Sequence, residues 1–178
     1  MNHEFERRLE GKVLLRIQKM HNPILDKIML IATIMGNGGL IWVAVILGYI
    51  IAKRKTEALI LIISLAFCAF LNNIVIKSFF KRARPCDIFG NYPPMIKRPW
   101  ESSCPSGHTA TSFAMAVALC KLNLGIGVPA IVIATIIGFS RMYLFVHYPS
   151  DVIIGVISGV LITLFITPIV LEMLGLVV

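Results

Sequence analysis

The sequence predicts an all-α fold, a polytopic membrane helical bundle of about six transmembrane helices with an N-terminal amphipathic interfacial helix. Three observations carry this. Hydrophobic residues make up 57% of the 178 positions, and charged residues only 15%. Mean hydropathy is +0.85. The apolar residues fall in long blocks rather than in the alternating or 3.6-residue patterns of a soluble domain. The length suits one domain, 1–178, with residues 1–22 as its amphipathic N-terminal helix and 77–107 as a long extracytoplasmic loop.

Residues 1–20 are charged and have no apolar core, so they are not a signal peptide. Leu9, Val13, Ile17 and Met20 recur at helical spacing beside Arg8, Lys12, Arg16 and Lys19, as in a helix lying on a membrane surface. Residues 24–35 are apolar apart from Asp26 and Lys27, short for a span. Gly36-Asn37-Gly38-Gly39 signals a turn, and Leu40 to Ala52 is a second apolar block ending at Lys53-Arg54-Lys55. The two blocks form a short helical hairpin, or the first lies partly in the interface. Ala58 to Ile76 is long enough to span, with Asn72 and Asn73 placed to bond between helices. Residues 77–107 are polar and broken by Pro85, Gly90, Pro93, Pro94, Pro99 and Pro105, which makes them a loop. His108 to Cys120, Leu124 to Phe139 and Val152 to Leu171 are the remaining helices.

The net charge is +8, from 17 Lys+Arg against 9 Asp+Glu. Basic residues interleaved with spans face anionic lipid, which argues against a nucleic-acid partner. With Lys53-Arg54-Lys55 placed in the cytoplasm, the 77–107 loop and residues 147–151 fall outside. An even number of spans then keeps the N-terminal basic cluster inside as well.

Three polar clusters share that outer side: Lys77 with Arg84-Pro85, Pro105-Ser106-Gly107-His108, and Ser140-Arg141 followed by His147 and Asp151. Two arginines and a lysine can neutralise a phosphate, and Arg offers planar paired donors. Ser106-Gly107-His108 opens an apolar helix, where backbone N–H groups make an anion site. Two histidines can divide the work of attacking phosphorus and protonating the leaving oxygen. Asp151 lies four residues after His147, so one turn brings its carboxylate to the ring and can fix the tautomer. Singly, Lys77, Arg84 and His108 read as span-flanking or capping residues; their co-location makes that the weaker reading. Arg141 stands near the end of a span, where an ionisable side chain is costly without a function. His3 and His21 read as surface residues, and Lys81 and Arg82 as solvated or head-group-attracting.

Lys77 with Arg84-Pro85, Pro105-Ser106-Gly107-His108, and Ser140-Arg141 with His147 and Asp151 together resemble the three-part signature of the type-2 phosphatidic acid phosphatase superfamily. The resemblance covers residues 77–151 closely. It implies His147 as nucleophile through a phosphohistidine, His108 as the acid for the leaving group and Asp151 as the partner of His147. It implies Lys77, Arg84, Ser106, Gly107 and Arg141 as phosphate ligands, with no metal and no cofactor. The implied protein is a membrane lipid phosphatase acting on undecaprenyl diphosphate, phosphatidylglycerol phosphate or phosphatidic acid. Rivals are a vanadate-dependent halide oxidation on a similar site, against which the spans argue, and a non-catalytic lipid binder or transporter, against which the intact histidines argue. Cys68 and Cys120 read as apolar fillers. Cys86 and Cys104 border the first two clusters in the outer loop, where a disulfide would staple them, though two loop thiols can equally stay reduced.

Overall fold

The computed structural model describes residues 3–89, 94–173 and 175, the side chains of 3–8, 73, 166 and 170 excepted. Gly90 and Pro93 of the expected loop lie outside the described residues, as do the side chains of His3, Arg8 and Asn73. All regular structure among the described residues is helical. The helices are α1 (His3–Gln18), α2 (Pro23–Gly36), α3 (Leu40–Ile51), α4 (Lys55–Phe70), α5 (Pro85–Ile88), α6 (Gly107–Leu122), α7 (Leu124–Tyr143), α8 (Pro149–Leu161) and α9 (Thr167–Met173). A π-helical stretch, Leu71–Ile76, prolongs α4, and another, Ile162–Ile166, joins α8 to α9. Four segments are long and apolar enough to cross a membrane: Pro23–Ile51, Lys55–Ile76, Leu124–Tyr143 and Pro149–Met173. The chain is a multi-pass membrane protein.

α6 has 16 residues, short of the ~20 that lipid requires. It is instead the centre of the bundle. Thr109, Ala110, Ser112, Ala114, Met115, Ala116, Ala118 and Leu119 are all buried, so protein rather than lipid covers it. Its small side chains let α8 approach closely: a Cβ on Gly159 would lie 2.2 Å from the Ala110 carbonyl oxygen, and one on Gly155 2.8 Å from that of Ser106. Asn72 accepts a hydrogen bond from Ser158 Oγ at 2.9 Å, the interhelical role expected of it.

The segment 23–51 differs from the sequence expectation. Asn22 caps α2 by accepting from the backbone N–H of Ile24 and Leu25, with Pro23 at the first helical position. The chain then passes through a short 3₁₀ turn, Asn37–Gly39, in which Gly38 and Gly39 take φ of 57° and 72°. Only glycine adopts that backbone cheaply. The turn kinks the segment without reversing it. Gly36 packs beside His108 and Ile137; Trp42 Nε1 donates to Ser112 Oγ at 3.0 Å; Ile46 and Tyr49 share a core with Leu119 and Ala130. Residues 36–51 therefore follow α6 from its start toward its finish, while α2 lies along the end of α7, where Tyr143 Oη donates to Asp26 Oδ1 and Arg141 donates to Thr33 Oγ1; the segment is one broken helix, not a hairpin.

The described residues hold four candidate spans, with α6 as a further helix enclosed among them, so the six expected are not confirmed. The N-terminal basic helix also lies at the end opposite Lys53-Arg54-Lys55, because α1 is tied to the α7–α8 end. Gln18 Nε2 donates to the Tyr143 carbonyl at 2.9 Å, and Glu10 Oε1 accepts from Ser150 N at 2.9 Å. α1 buries Leu14 and Ile17 against the protein and leaves Leu9 and Val13 exposed, as is Met20 in the turn that follows. His21 is not a free surface residue: it bonds Asp26 at 2.7 Å and Gln18 at 3.1 Å.

The close approach of α6 and α8 is directly testable. Gly159→Ala should force the helices apart and cost about 1–3 kcal/mol of stability, read as a lower thermal unfolding temperature in detergent. Gly48→Ala, where nothing lies within 4 Å of the added Cβ, should leave that temperature unchanged or raised.

Candidate active site

Three segments distant in the chain meet at one end of the bundle around a cavity of about 520 Å³. Lys77, Arg84, Gly107, His108, Arg141 and His147 all line it. Each is positioned by a local rule. Lys77 follows the π-helical stretch that ends the α4 segment. Arg84 precedes Pro85, whose fixed φ opens α5, and Arg84 N donates to Asp87 Oδ2 at 3.1 Å. Gly107 and His108 form the first turn of α6. The chain after α7 turns at Phe145, a buried non-glycine residue with φ of 60°. This left-handed residue, costly by about 1–3 kcal/mol, lets both Val146 N and His147 N donate to the Arg141 carbonyl at 3.2 Å.

His147 is buried, and its tautomer follows from its partner. Arg84 NH1 lies 3.2 Å from Nε2. A guanidinium can only donate, so Nε2 accepts and the proton resides on Nδ1. Nδ1 faces Asp151 Oδ2 at 3.6 Å, an ion-pair distance too long for a hydrogen bond. Asp151 is fully buried and is held elsewhere: Oδ2 accepts from Ser103 Oγ at 2.6 Å and Tyr148 N at 2.8 Å, and Oδ1 accepts from Arg82 NH1 at 2.6 Å. Burial pushes the His147 ring down to about 3, with Arg141 and Arg84 acting in the same direction and Asp151 opposing them.

The cations are held by a mixture of carbonyls and acids. Arg84 also donates to the carbonyls of Val146, Glu101 and Ser102. Arg141 donates to Thr33 Oγ1, while its buried Nε has no protein partner. Lys77 Nζ is 2.5 Å from Glu101 Oε2. Burial lowers the Lys77 pKa from its usual value, and Glu101 opposes that shift. His108 Nε2 lies 2.7 Å from Asn37 Oδ1, an acceptor, so Nε2 carries a proton.

Ser106 departs from expectation. Its Oγ is buried and accepts from Thr109 Oγ1 at 2.8 Å, and its N–H donates to the Asp151 carbonyl. It braces the helix start and does not line the cavity. The Cys86–Cys104 disulfide is not formed; all four described cysteines are free. The Cys86 side chain packs with Leu14, Phe145 and Tyr148, whereas Cys104 is buried beside Asp151, where burial pushes its thiol up to about 12.

Four contributors escaped the sequence reading. Asn37 stands in a turn signal, Ser103 and Glu101 carry no motif, and Arg82 reads as solvated or head-group-attracting. Only for Arg82 was there a signal: Lys81-Arg82-Ala83-Arg84 puts two arginines on one side of an extended chain.

The sequence of the PAP2 superfamily matches residues 57–173, which take in every one of these clusters. The chain belongs to the PAP2 superfamily. It is 32% identical over 117 residues to decaprenylphosphoryl-5-phosphoribose phosphatase of Mycobacterium tuberculosis (strain ATCC 25618 / H37Rv), covering 64% of this chain and 62% of that protein. It is 32% identical over 68 residues to undecaprenyl-diphosphatase BcrC of Bacillus subtilis (strain 168), covering 38% of this chain and 35% of that protein. The chain thus spans less than two thirds of the length of these curated relatives. Among solved structures, Aquifex aeolicus LpxE superposes with a TM-score of 0.77 at 27% identity, over 88% of this chain and 92% of that one.

A ring held near 3 stays neutral through the range in which an ordinary histidine charges. The ring-nitrogen NMR signals that vanish in His147→Ala should keep their neutral positions from pH 7.5 to 5; a transition near the usual imidazole value of ~6.5 would contradict the geometry. The unfolded ring takes up a proton there that the folded ring refuses, so this residue's contribution to stability is present above ~6.5 and falls as pH drops toward 3.

Proposed function

We propose that this PAP2-superfamily chain is an integral membrane lipid phosphatase that cleaves a phosphomonoester or diphosphate through a phosphohistidine. The observation that carries the reading is one cavity with two chemistries. Its polar end holds Lys77, Arg84, His108, Arg141 and His147; its other walls are Gly39, Val43, Ile46, Ile62, Leu65, Ala66 and Ala69 of the α3–α4 region. A phosphate fits the first and a lipid chain the second.

The geometry supports a definite sequence of events. Incoming phosphate oxygens take over the Arg84 donor that now holds His147 Nε2, which frees that nitrogen's lone pair to attack phosphorus. Lys77, Arg84 and Arg141 neutralise the oxygens as charge develops. The P–O bond to the lipid breaks while His108, doubly protonated once the anionic phosphate sits beside it, delivers one proton to the leaving oxygen and becomes neutral. Asp151 faces the Nδ1 proton and stabilises the cationic phosphoimidazole. Water, giving its proton to His108, then attacks phosphorus, and orthophosphate leaves His147 neutral again. The cationic side chains supply the electrostatic role a metal fills in other phosphatases, so the reaction runs without one. Undecaprenyl diphosphate and phosphatidylglycerol phosphate are the substrates favoured, with phosphatidic acid as the broader alternative; the names of the relatives support a prenyl carrier or another lipid phosphate.

The site end faces the extracytoplasmic side in this reading, with Lys53-Arg54-Lys55 and Lys121 at the cytoplasmic end. A second reading, a site facing the cytoplasm, is favoured by the position of α1, whose Lys12, Arg16 and Lys19 lie at the site end. Chains freed of native cysteines and carrying Lys97→Cys or Lys53→Cys separate the two. Impermeant maleimide on intact cells should label the first and spare the second; the reverse pattern would establish the cytoplasmic site.

The phosphatase reading is tested by phosphate release from purified protein in detergent micelles with undecaprenyl diphosphate, phosphatidylglycerol phosphate and phosphatidic acid. Release should persist in chelator and fall by about 10³-fold or more in His147→Ala. His108→Ala should harm substrates with poor leaving groups most. Strict dependence on a divalent ion, or full activity in His147→Ala, would sink the mechanism.

A further inference from the structure

Arg82 is the hub of a network that the phosphate-binding clusters do not include. Its guanidinium is only 14% exposed and stacks on the Tyr148 ring, 4.2 Å from the centroid. NH1 donates to Asp151 Oδ1 and to Ser150 Oγ, each at 2.6 Å. NH2 reaches Glu10 Oε2 at 2.5 Å. The other oxygen of Glu10 accepts from Ser150 N at 2.9 Å, at the start of the helix that carries Asp151. Glu10 belongs to α1 and lies outside residues 57–173, so nothing in the family match accounts for it.

We propose that Glu10 is a positioning residue for the phosphatase reaction, holding Arg82 so that the Asp151 carboxylate serves His147. The inference rests on the reading of His147 as nucleophile. A carboxylate beside a lone guanidinium would be drawn fully to it in a buried setting. Asp151 has to do something else: its charge must stabilise Nδ1 when the ring becomes a cation. Glu10 gives Arg82 a second anion on its far nitrogen, and so leaves part of the Asp151 charge to the imidazole. It also fixes the guanidinium plane through both ends of its fork, with Ser150 N binding the same carboxylate to the α8 start. Asp151 cannot then follow Arg82 away from the ring, and its Oδ2 stays on Ser103, Tyr148 N and the Nδ1 side of His147. The amphipathic N-terminal helix is thereby a working part of the site.

Glu10 touches neither the cavity nor the phosphate ligands, so its loss should appear in turnover and not in substrate binding. Glu10→Gln keeps the shape and removes the charge. Its kcat should fall about tenfold, the equivalent of one charge-assisted hydrogen bond, with KM within about twofold. Glu10→Asp should restore part of kcat. In an Arg82→Gln background, Glu10→Gln should cost nothing further, because its action passes through Arg82. Multiplicative losses in the double variant, an unchanged kcat in Glu10→Gln, or a loss confined to KM would overturn the proposal. A kcat loss matched by a lowered unfolding temperature, with no rescue by Glu10→Asp, would make Glu10 a structural tie only and overturn it equally. Failure of the underlying reading looks different: wild-type protein without phosphate release, or His147→Ala with undiminished release.

Discussion

Cationic side chains and a neutral imidazole must be kept within reach of one another at the end of a membrane bundle, and water cannot be relied on to solvate them. Burying an unpaired charge costs several kcal/mol. Every ionisable group at this site is therefore tied to a donor or acceptor from another part of the chain. Arg84 spends its donors on three backbone carbonyls and on His147 Nε2. Lys77 holds Glu101, Arg141 holds Thr33, and Asp151 is enclosed by Ser103, Tyr148 N and Arg82. Arg141 Nε and His147 Nδ1 are buried atoms of this cluster left without a hydrogen-bond partner among the described residues.

That requirement dictates how the helices pack. His108 and Asp151 can share a site only if the starts of α6 and α8 are close, and the absence of a Cβ at Gly155 and Gly159 lets them be. α6 buries its own small side chains on nearly all sides, so this short helix is insulated from lipid by its neighbours. The same closeness connects the two chemical clusters through the backbone, since Ser106 N donates to the Asp151 carbonyl. The site is thus preorganised by packing in the bundle core, and its cationic side chains stand at or near helix ends.

The broken helix 23–51 joins the polar and apolar sides of the cavity. Its kink places Asn37 on His108, while the residues just beyond, Gly39 and Val43, line the apolar side of the cavity. One change of backbone direction therefore orients the His108 ring and opens an apolar wall beside it. At the other edge α1 inserts Leu14 under Phe145 and Tyr148 and brings Glu10 to Arg82. Two segments before residue 57 thus complete a site whose family match begins there.

What the sequence by itself determined is the helical class, the membrane character and the residue types of the site. Hydropathy is a local sum and survives without coordinates, and Lys77, Arg84, His108, Arg141, His147 and Asp151 are chemically conspicuous in an apolar chain. Only tertiary structure decided what each polar atom touches. Ser106 turned inward to Thr109 because the α6 start is braced against α8. Cys86 and Cys104 stayed apart because one packs under α1 and the other beside Asp151. Gly36-Asn37-Gly38-Gly39 reads equally as a reversal or a kink, since two left-handed glycines permit both, and the choice fell to packing along α6. That choice moved α1 to the site end of the bundle. Glu10, Asn37, Glu101 and Ser103 escaped the sequence reading for one reason: the side-chain partners of each lie 24 to 140 residues away, and no local pattern records a distance of that kind.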